Sequence, residues 1–188
     1  MNNITQLIRQ RRSIFPPTYT DEVISREIID TILENANYAP THQLTQPWRF
    51  RVITGEKRAP LGELLAGIYK EKAGEQFSEM KYNKMRNQPQ RASHIIAICM
   101  KRDEAKRVPE WEELAAVAMA VQNMWLTATE LNIGAFWSSP RVIESPAVKP
   151  FLQLGEDETC LGFLYLGYHN APATEAVRTP IEEKVIWL

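Results

Sequence analysis

The run Ile95-Ile96-Ala97-Ile98-Cys99-Met100 does most to limit the folds open to this chain. It has the length of a strand and no polar face to turn towards water, so it reads as a strand buried on both sides. Such a strand needs helices over it. After a charged loop, Glu110 to Asn132 is the longest helical segment, with Leu114, Val117, Ala118, Val121, Trp125, Ala128 and Leu131 on a broad apolar stripe. Its alanines permit close packing. Gly134 is the expected helix stop, and Ala135-Phe136-Trp137 continues into a short strand.

The remaining segments alternate between the two periodicities. Ile4, Leu7, Ile8 and Arg11 share one face of a first amphipathic helix, which Arg11-Arg12-Ser13 closes. A second helix starts at Ser25 as N-cap and carries Ile28, Ile29, Ile32, Leu33 and Ala36 until Pro40 stops it. Trp48 to Ile53 alternates at period two and ends at Thr54-Gly55, as a strand does. A further helix begins near Pro60 and uses Leu61, Leu64, Leu65, Ile68 and Tyr69, whereas the polar stretch from Lys70 to Gln90 fits either a helix or a mobile segment. Ser145-Pro146 is expected to open another helix that Gly155 ends, and Thr159 to Tyr168 is the last core strand. The expectation is an α+β layered fold, a mixed sheet of four core strands flanked by helices. It occupies 1–188 as a single domain, with 171–188 as a proline-broken arm ending in Val185-Ile186-Trp187-Leu188.

With 188 residues, 44% of them hydrophobic, one domain is the default, and a chain of this size buries roughly 70% of its unfolded surface. The net charge of -1 and the lack of single-sign runs give no footprint for nucleic acid or an anionic membrane, which directs attention to a small neutral or anionic ligand. Met1 to Thr5 enters directly into a helical pattern, and no apolar run approaches the roughly 20 residues a bilayer requires, so a soluble cytoplasmic protein is expected. Cys99 and Cys160 lie in apolar strand-like runs and read as small buried hydrophobes. His94 and His169 lack partners at ligand spacing, which makes them structural and predicts no metal site.

Two segments carry the chemistry. Arg11-Arg12-Ser13 gathers two fixed charges and a hydroxyl, which suits a phosphate because arginine donates in parallel to two of its oxygens. Ala39 to Trp48 is a polar loop set against an aromatic, and its hydroxyl, imidazole and amide groups can address a planar heterocycle. Together with the alanine-rich helix followed by Gly134-Ala135-Phe136-Trp137-Ser138-Ser139, with Gly162 to Tyr168, and with Arg178-Thr179-Pro180-Ile181-Glu182-Glu183, these segments resemble the FMN-dependent nitroreductase-like family. The resemblance runs from Ile8 through the arm, and the chain looks like the small, compact subgroup without the longer insertion that narrows the pocket in many relatives.

The resemblance implies an intertwined homodimer with FMN at the subunit interface. Arg11, Arg12 and Ser13 would come from one chain, with Trp137, Ser138 and Ser139 on the far side of the ring; Tyr38, His42 and Gln46 would come from the partner. Many members carry a further arginine two residues after the serine, where this chain has Phe15, and Arg178 is the candidate to replace it. The arm either packs on its own domain or crosses to add a strand to the partner's sheet. The implied activity is ping-pong reduction of nitroaromatic, quinone or similar acceptors with NAD(P)H as co-substrate. No side-chain nucleophile is required, which fits the absence of Gly-x-Ser-x-Gly and of Gly-x-Gly-x-x-Gly after a strand. Two alternatives stay open: a non-catalytic flavin-binding or sensory protein, and another flavin reaction on the same fold such as reductive dehalogenation. Trp137 either walls the ring or fills the core.

Overall fold

The computed structural model describes residues 3–172 and 174–188. Its helices are α1 (Ile4–Gln10), α2 (Arg26–Asn37), α3 (Arg58–Ala73), α4 (Glu79–Asn87), α5 (Glu110–Glu130) and α6 (Val148–Phe151). Its strands are β1 (Trp48–Thr54), β2 (His94–Lys101), β3 (Ile133–Ser138) and β4 (Glu158–Tyr168). The apolar run lies within β2, which is buried from His94 through Met100.

The sheet order is β1-β2-β4-β3, and all three pairings are antiparallel. The expected mixed sheet is therefore corrected to an antiparallel one. Its origin is topological: β2 and β3 run the same way across the α5 crossover, but β4 lies between them and opposes both, so parallel strands never share hydrogen bonds. Helices cover both faces, which is why β2 has no polar side. On one face Ile96, Ile98, Leu164 and Leu166 meet Ile29, Ile32 and Ala36 of α2 and Val117, Ala120, Val121 and Met124 of α5. On the other, Ile95, Ala97, Cys99, Phe163 and Tyr165 meet Leu61, Leu65 and Ile68 of α3, with Val148 and Leu152 of the α6 segment.

Several boundaries differ from those expected. α5 is stopped by Asn132, whose φ of 56° is the left-handed conformation that asparagine tolerates, while Gly134 lies inside β3. The helix after Ser145-Pro146 starts only at Val148: Ser145 ends a 3₁₀ turn at Arg141–Glu144, and its carbonyl accepts the Val148 N–H at 3.0 Å. The polar stretch is largely helical, since α3 continues to Ala73 and α4 follows with Ser78 as its N-cap. Cys99 and Cys160 are both buried, as expected. From 174 to 188 the arm holds only a 3₁₀ turn at Ile181–Lys184 and leaves Val177, Ile186, Trp187 and Leu188 in solvent, Trp187 at 93% exposure. Among the described residues no helix is long and apolar enough to cross a membrane.

Candidate functional site

The chain leaving α1 is pinned between α5 and the outer edge of β3. The Ile14 N–H donates to the Ala135 carbonyl at 3.1 Å, and the Trp125 indole N–H of α5 donates to the Arg12 carbonyl at 3.1 Å. The same indole ring lies 4.7 Å from the Arg11 guanidinium, a cation–π contact that fixes the side chain. Arg12 is held by carbonyls: Nε donates to Thr174 at 2.9 Å, and Nη1 donates to Arg9 at 2.6 Å and Arg11 at 2.8 Å. Arg178, on the arm, comes close enough to act on the same group. Burial, then the charge of Arg12, then that of Arg178 lower the Arg11 pKa from its ordinary value. Among the described residues no carboxylate forms an ion pair with Arg11, Arg12 or Arg178. Three cations gathered without a counterion among the described residues favour an anion there. Ser13 stands exposed beside them.

The end of β3 forms a second part of the site. Trp137 packs against the α2/α5 core, but its indole nitrogen is buried without a hydrogen-bond partner among the described residues. It lies against a bulge in β4: a Cβ added to Gly162, whose φ is 139°, would stand 2.6 Å from Trp137 Nε1 and 2.5 Å from the Ser138 carbonyl oxygen. Ser138 lines a cavity of about 280 Å³ together with Lys81 and Lys84 of α4, its C-cap Gln88, Phe136 and Tyr165. The Phe15 ring packs against the lining residue Phe136 with centroids 4.6 Å apart, and Phe136 in turn stacks on Tyr165 at 6.2 Å. Burial raises the Tyr165 phenol well above its usual range, so it stays a neutral hydroxyl. Ser139 follows at the exposed end of the strand. Lys81 and Lys84 were not singled out from the sequence; the available signal was their i, i+3 spacing in the polar stretch, which puts both on one side of α4.

The loop residues lie elsewhere. Tyr38 is the exposed C-cap of α2, and Gln43, Leu44 and Gln46 have φ of 49°, 54° and 42°, a run of left-handed backbone in non-glycine residues. His42 Nδ1 lies 2.5 Å from Glu112 Oε2 near the start of α5. Arg11 is held at Trp125, thirteen residues further along the same helix. At 1.5 Å per residue this separates the two anchor points by about 20 Å. One chain therefore brings together Arg11, Arg12, Arg178 and Ser13, and separately the β3 end, but sets Tyr38, His42 and Gln46 apart from the arginine cluster.

An antiparallel sheet between two helical layers, with an uncompensated arginine cluster at one edge and an aromatic, lysine-lined cavity beside the same edge strand, defines an α+β protein equipped for a phosphorylated aromatic ligand. The profile of the nitroreductase family matches residues 8–168, and the chain belongs to that family. It is 34% identical over 155 residues to YdjA of Escherichia coli (strain K12), a candidate NAD(P)H nitroreductase, a match covering 82% of each chain. Among solved structures, a nitroreductase-like family protein from Bacillus cereus superposes with a TM-score of 0.83 at 25% identity, covering 100% of this chain and 97% of the other. A candidate nitroreductase from Desulfovibrio desulfuricans, solved in complex with FMN, gives a TM-score of 0.76 at 30% identity, with 100% and 98% coverage.

Proposed function

We propose that this protein is an FMN-dependent NAD(P)H oxidoreductase that passes electrons to nitroaromatic, quinone or similar acceptors. The observation that carries the reading is the arginine cluster, whose charges meet no carboxylate among the described residues. Support comes from the FMN complex of the Desulfovibrio relative and from the NAD(P)H nitroreductase name of YdjA. FMN, when bound, supplies the hydride and electron chemistry. This chain supplies the setting. Arg11, Arg12 and Arg178 would neutralise the phosphate, and Ser13 would donate its hydroxyl to the same group. Trp137, Ser138 and Ser139 would present the β3 end to the ring. Lys81 and Lys84 make the adjoining cavity electropositive, which favours the partly negative nitro or quinone oxygens of an acceptor there.

The separation of about 20 Å between the Arg11 and His42 anchor points along α5 supports a homodimer with shared sites, in which Tyr38, His42 and Gln46 reach the ring from the second subunit. The exposed apolar arm is consistent with an added strand on that subunit. A cytoplasmic location, with its supply of NAD(P)H, belongs to the same reading. The test is direct: the purified protein should be yellow, release FMN and not FAD on denaturation, and give parallel initial-rate lines when NAD(P)H is varied at several acceptor concentrations. A protein that neither holds nor takes up FMN overturns the function. One that binds FMN but reduces no acceptor is a flavin-binding protein, and intersecting lines refute the ping-pong order.

A further inference from the structure

Cys99 and Cys160 are direct partners in the β2–β4 ladder. Direct antiparallel partners have Cα atoms about 4.5 or 5.5 Å apart, and both distances lie within the roughly 4.4–6.8 Å that a disulfide spans. Their side chains leave the sheet on the same face, in the core beneath α3 and α6. The ladder is irregular at this point: Ile98 faces Gly162 and Cys99 faces Cys160, so Leu161 is an extra residue, a bulge that bends and twists the strand. Among the described residues no cluster of His, Cys, Asp or Glu around them is fit to hold a metal. From these positions we infer that Cys99 and Cys160 form a hydroperoxide-oxidisable dithiol that closes a disulfide across the sheet.

The two thiols are unequal. Cys99 is fully buried, whereas Cys160 retains 8% of its surface. The Cys160 thiol and burial push the Cys99 thiol up, while the neighbouring Cys99 holds Cys160 down. Cys160, which alone of the two keeps some exposed surface, is the sulfur that peroxide reaches and that attacks first, as its thiolate. Its sulfur takes one peroxide oxygen, the O–O bond breaks, and hydroxide leaves to be protonated as water. The resulting sulfenic acid is then attacked by Cys99, which gives up its proton; the S–O bond breaks, a second water leaves, and the disulfide remains. Two thiols and one hydrogen peroxide become one disulfide and two waters. Dithiothreitol reverses the change by exchange.

The experiment treats the full protein with hydrogen peroxide, blocks remaining thiols in denaturant, and maps peptides without reduction. The expected product is an intrachain pair joining the Cys99 and Cys160 peptides, about 2 Da lighter than the two thiol peptides together and resolved by dithiothreitol. Thiols titrated in denaturant should fall from two to none. In Cys99→Ser, a sulfenic acid trapped on Cys160 is expected with no cross-link. Wild-type protein that keeps both thiols after excess peroxide, that stops at a sulfinic acid on Cys160, or that forms only interchain disulfides overturns the inference. The wild-type result stands whether or not the variant folds.

Discussion

Arg11→Ala separates the two roles of the arginine cluster, because its expected effects on stability and on ligand affinity differ. In the ligand-free protein Arg11 gains a cation–π contact with Trp125, worth about 0.5–1 kcal/mol, and bears repulsion from Arg12 and Arg178. Removing it loses the first and relieves the second, so net stability should change by less than about 1 kcal/mol, or roughly 2–4 °C in Tm for a chain of this length. With a phosphate in place, the same guanidinium is a charge-assisted donor, and its loss should cost about 1.5–3 kcal/mol, or roughly 10- to 150-fold in Kd. Quenching of flavin fluorescence measures the affinity, and riboflavin, which lacks the phosphate, is the control. FMN should weaken by that factor while riboflavin affinity holds. Equal losses for both flavins, or unchanged FMN affinity, would refute the assignment of the cluster to phosphate.

Other substitutions test the remaining parts of the structure. Gly162→Ala places a methyl 2.5 Å from the Ser138 carbonyl oxygen at a φ of 139°, and should cost about 3 kcal/mol or more, read as a fall in Tm of at least roughly 6–12 °C; an unchanged Tm would remove the bulge from the account. His94 Nδ1 lies 2.9 Å from Ser93 Oγ, which accepts the Ile24 N–H, and burial, then the charge of Arg58, lower the His94 pKa below its ordinary value and favour the neutral ring. The unfolded chain then binds more protons, so stability present above the unfolded value should be lost as pH falls below about 6.5, with a shallower slope in His94→Asn by urea titration. Finally, if Arg12 and His42 serve one site from two subunits, refolding a mixture of Arg12→Ala and His42→Ala chains should restore activity that neither homodimer has, because half of the mixed dimer's sites carry neither defect. No recovery, in that pair and with Gln46→Ala in place of His42→Ala, would retire the shared site.

Legibility followed the reach of each signal. The six apolar residues of β2 reported burial on both faces, and the structure places helices over both. They carried no information on strand direction, because an interior strand is equally apolar in parallel and antiparallel sheets; the placement of β4 between β2 and β3 is a long-range choice that no local pattern records. Gly134 and Ser145-Pro146 misled for a local reason, since Asn132 and the 3₁₀ turn ending at Glu144 met the same backbone needs a few residues away. Of the site, Arg11, Arg12 and Ser13 were legible as a charge cluster, and Arg178 joins them through the arm. Lys81 and Lys84 were hidden by a polar helix whose charges all look solvated until the fold turns one side towards Phe136 and Tyr165.

The position of β4 also bears on how the chain becomes a protein. It follows the other three strands in the sequence, yet it is interior to the sheet and, among the described residues, is the only strand that β3 pairs with. A nascent chain that has emerged through Ser138 holds β1 and β2 able to pair, and a β3 separated from them by a gap of about two strand spacings, roughly 9.5 Å. Neither helical layer has a finished surface to settle on until that gap is filled. Residues up to Tyr168 must therefore be present before either core closes, which makes assembly a late, single event dominated by long-range pairing and correspondingly slow. A chain broken off anywhere before that strand has lost the seam between its halves, and its exposed β2 and β3 edges are the ones chaperones or aggregation would meet first.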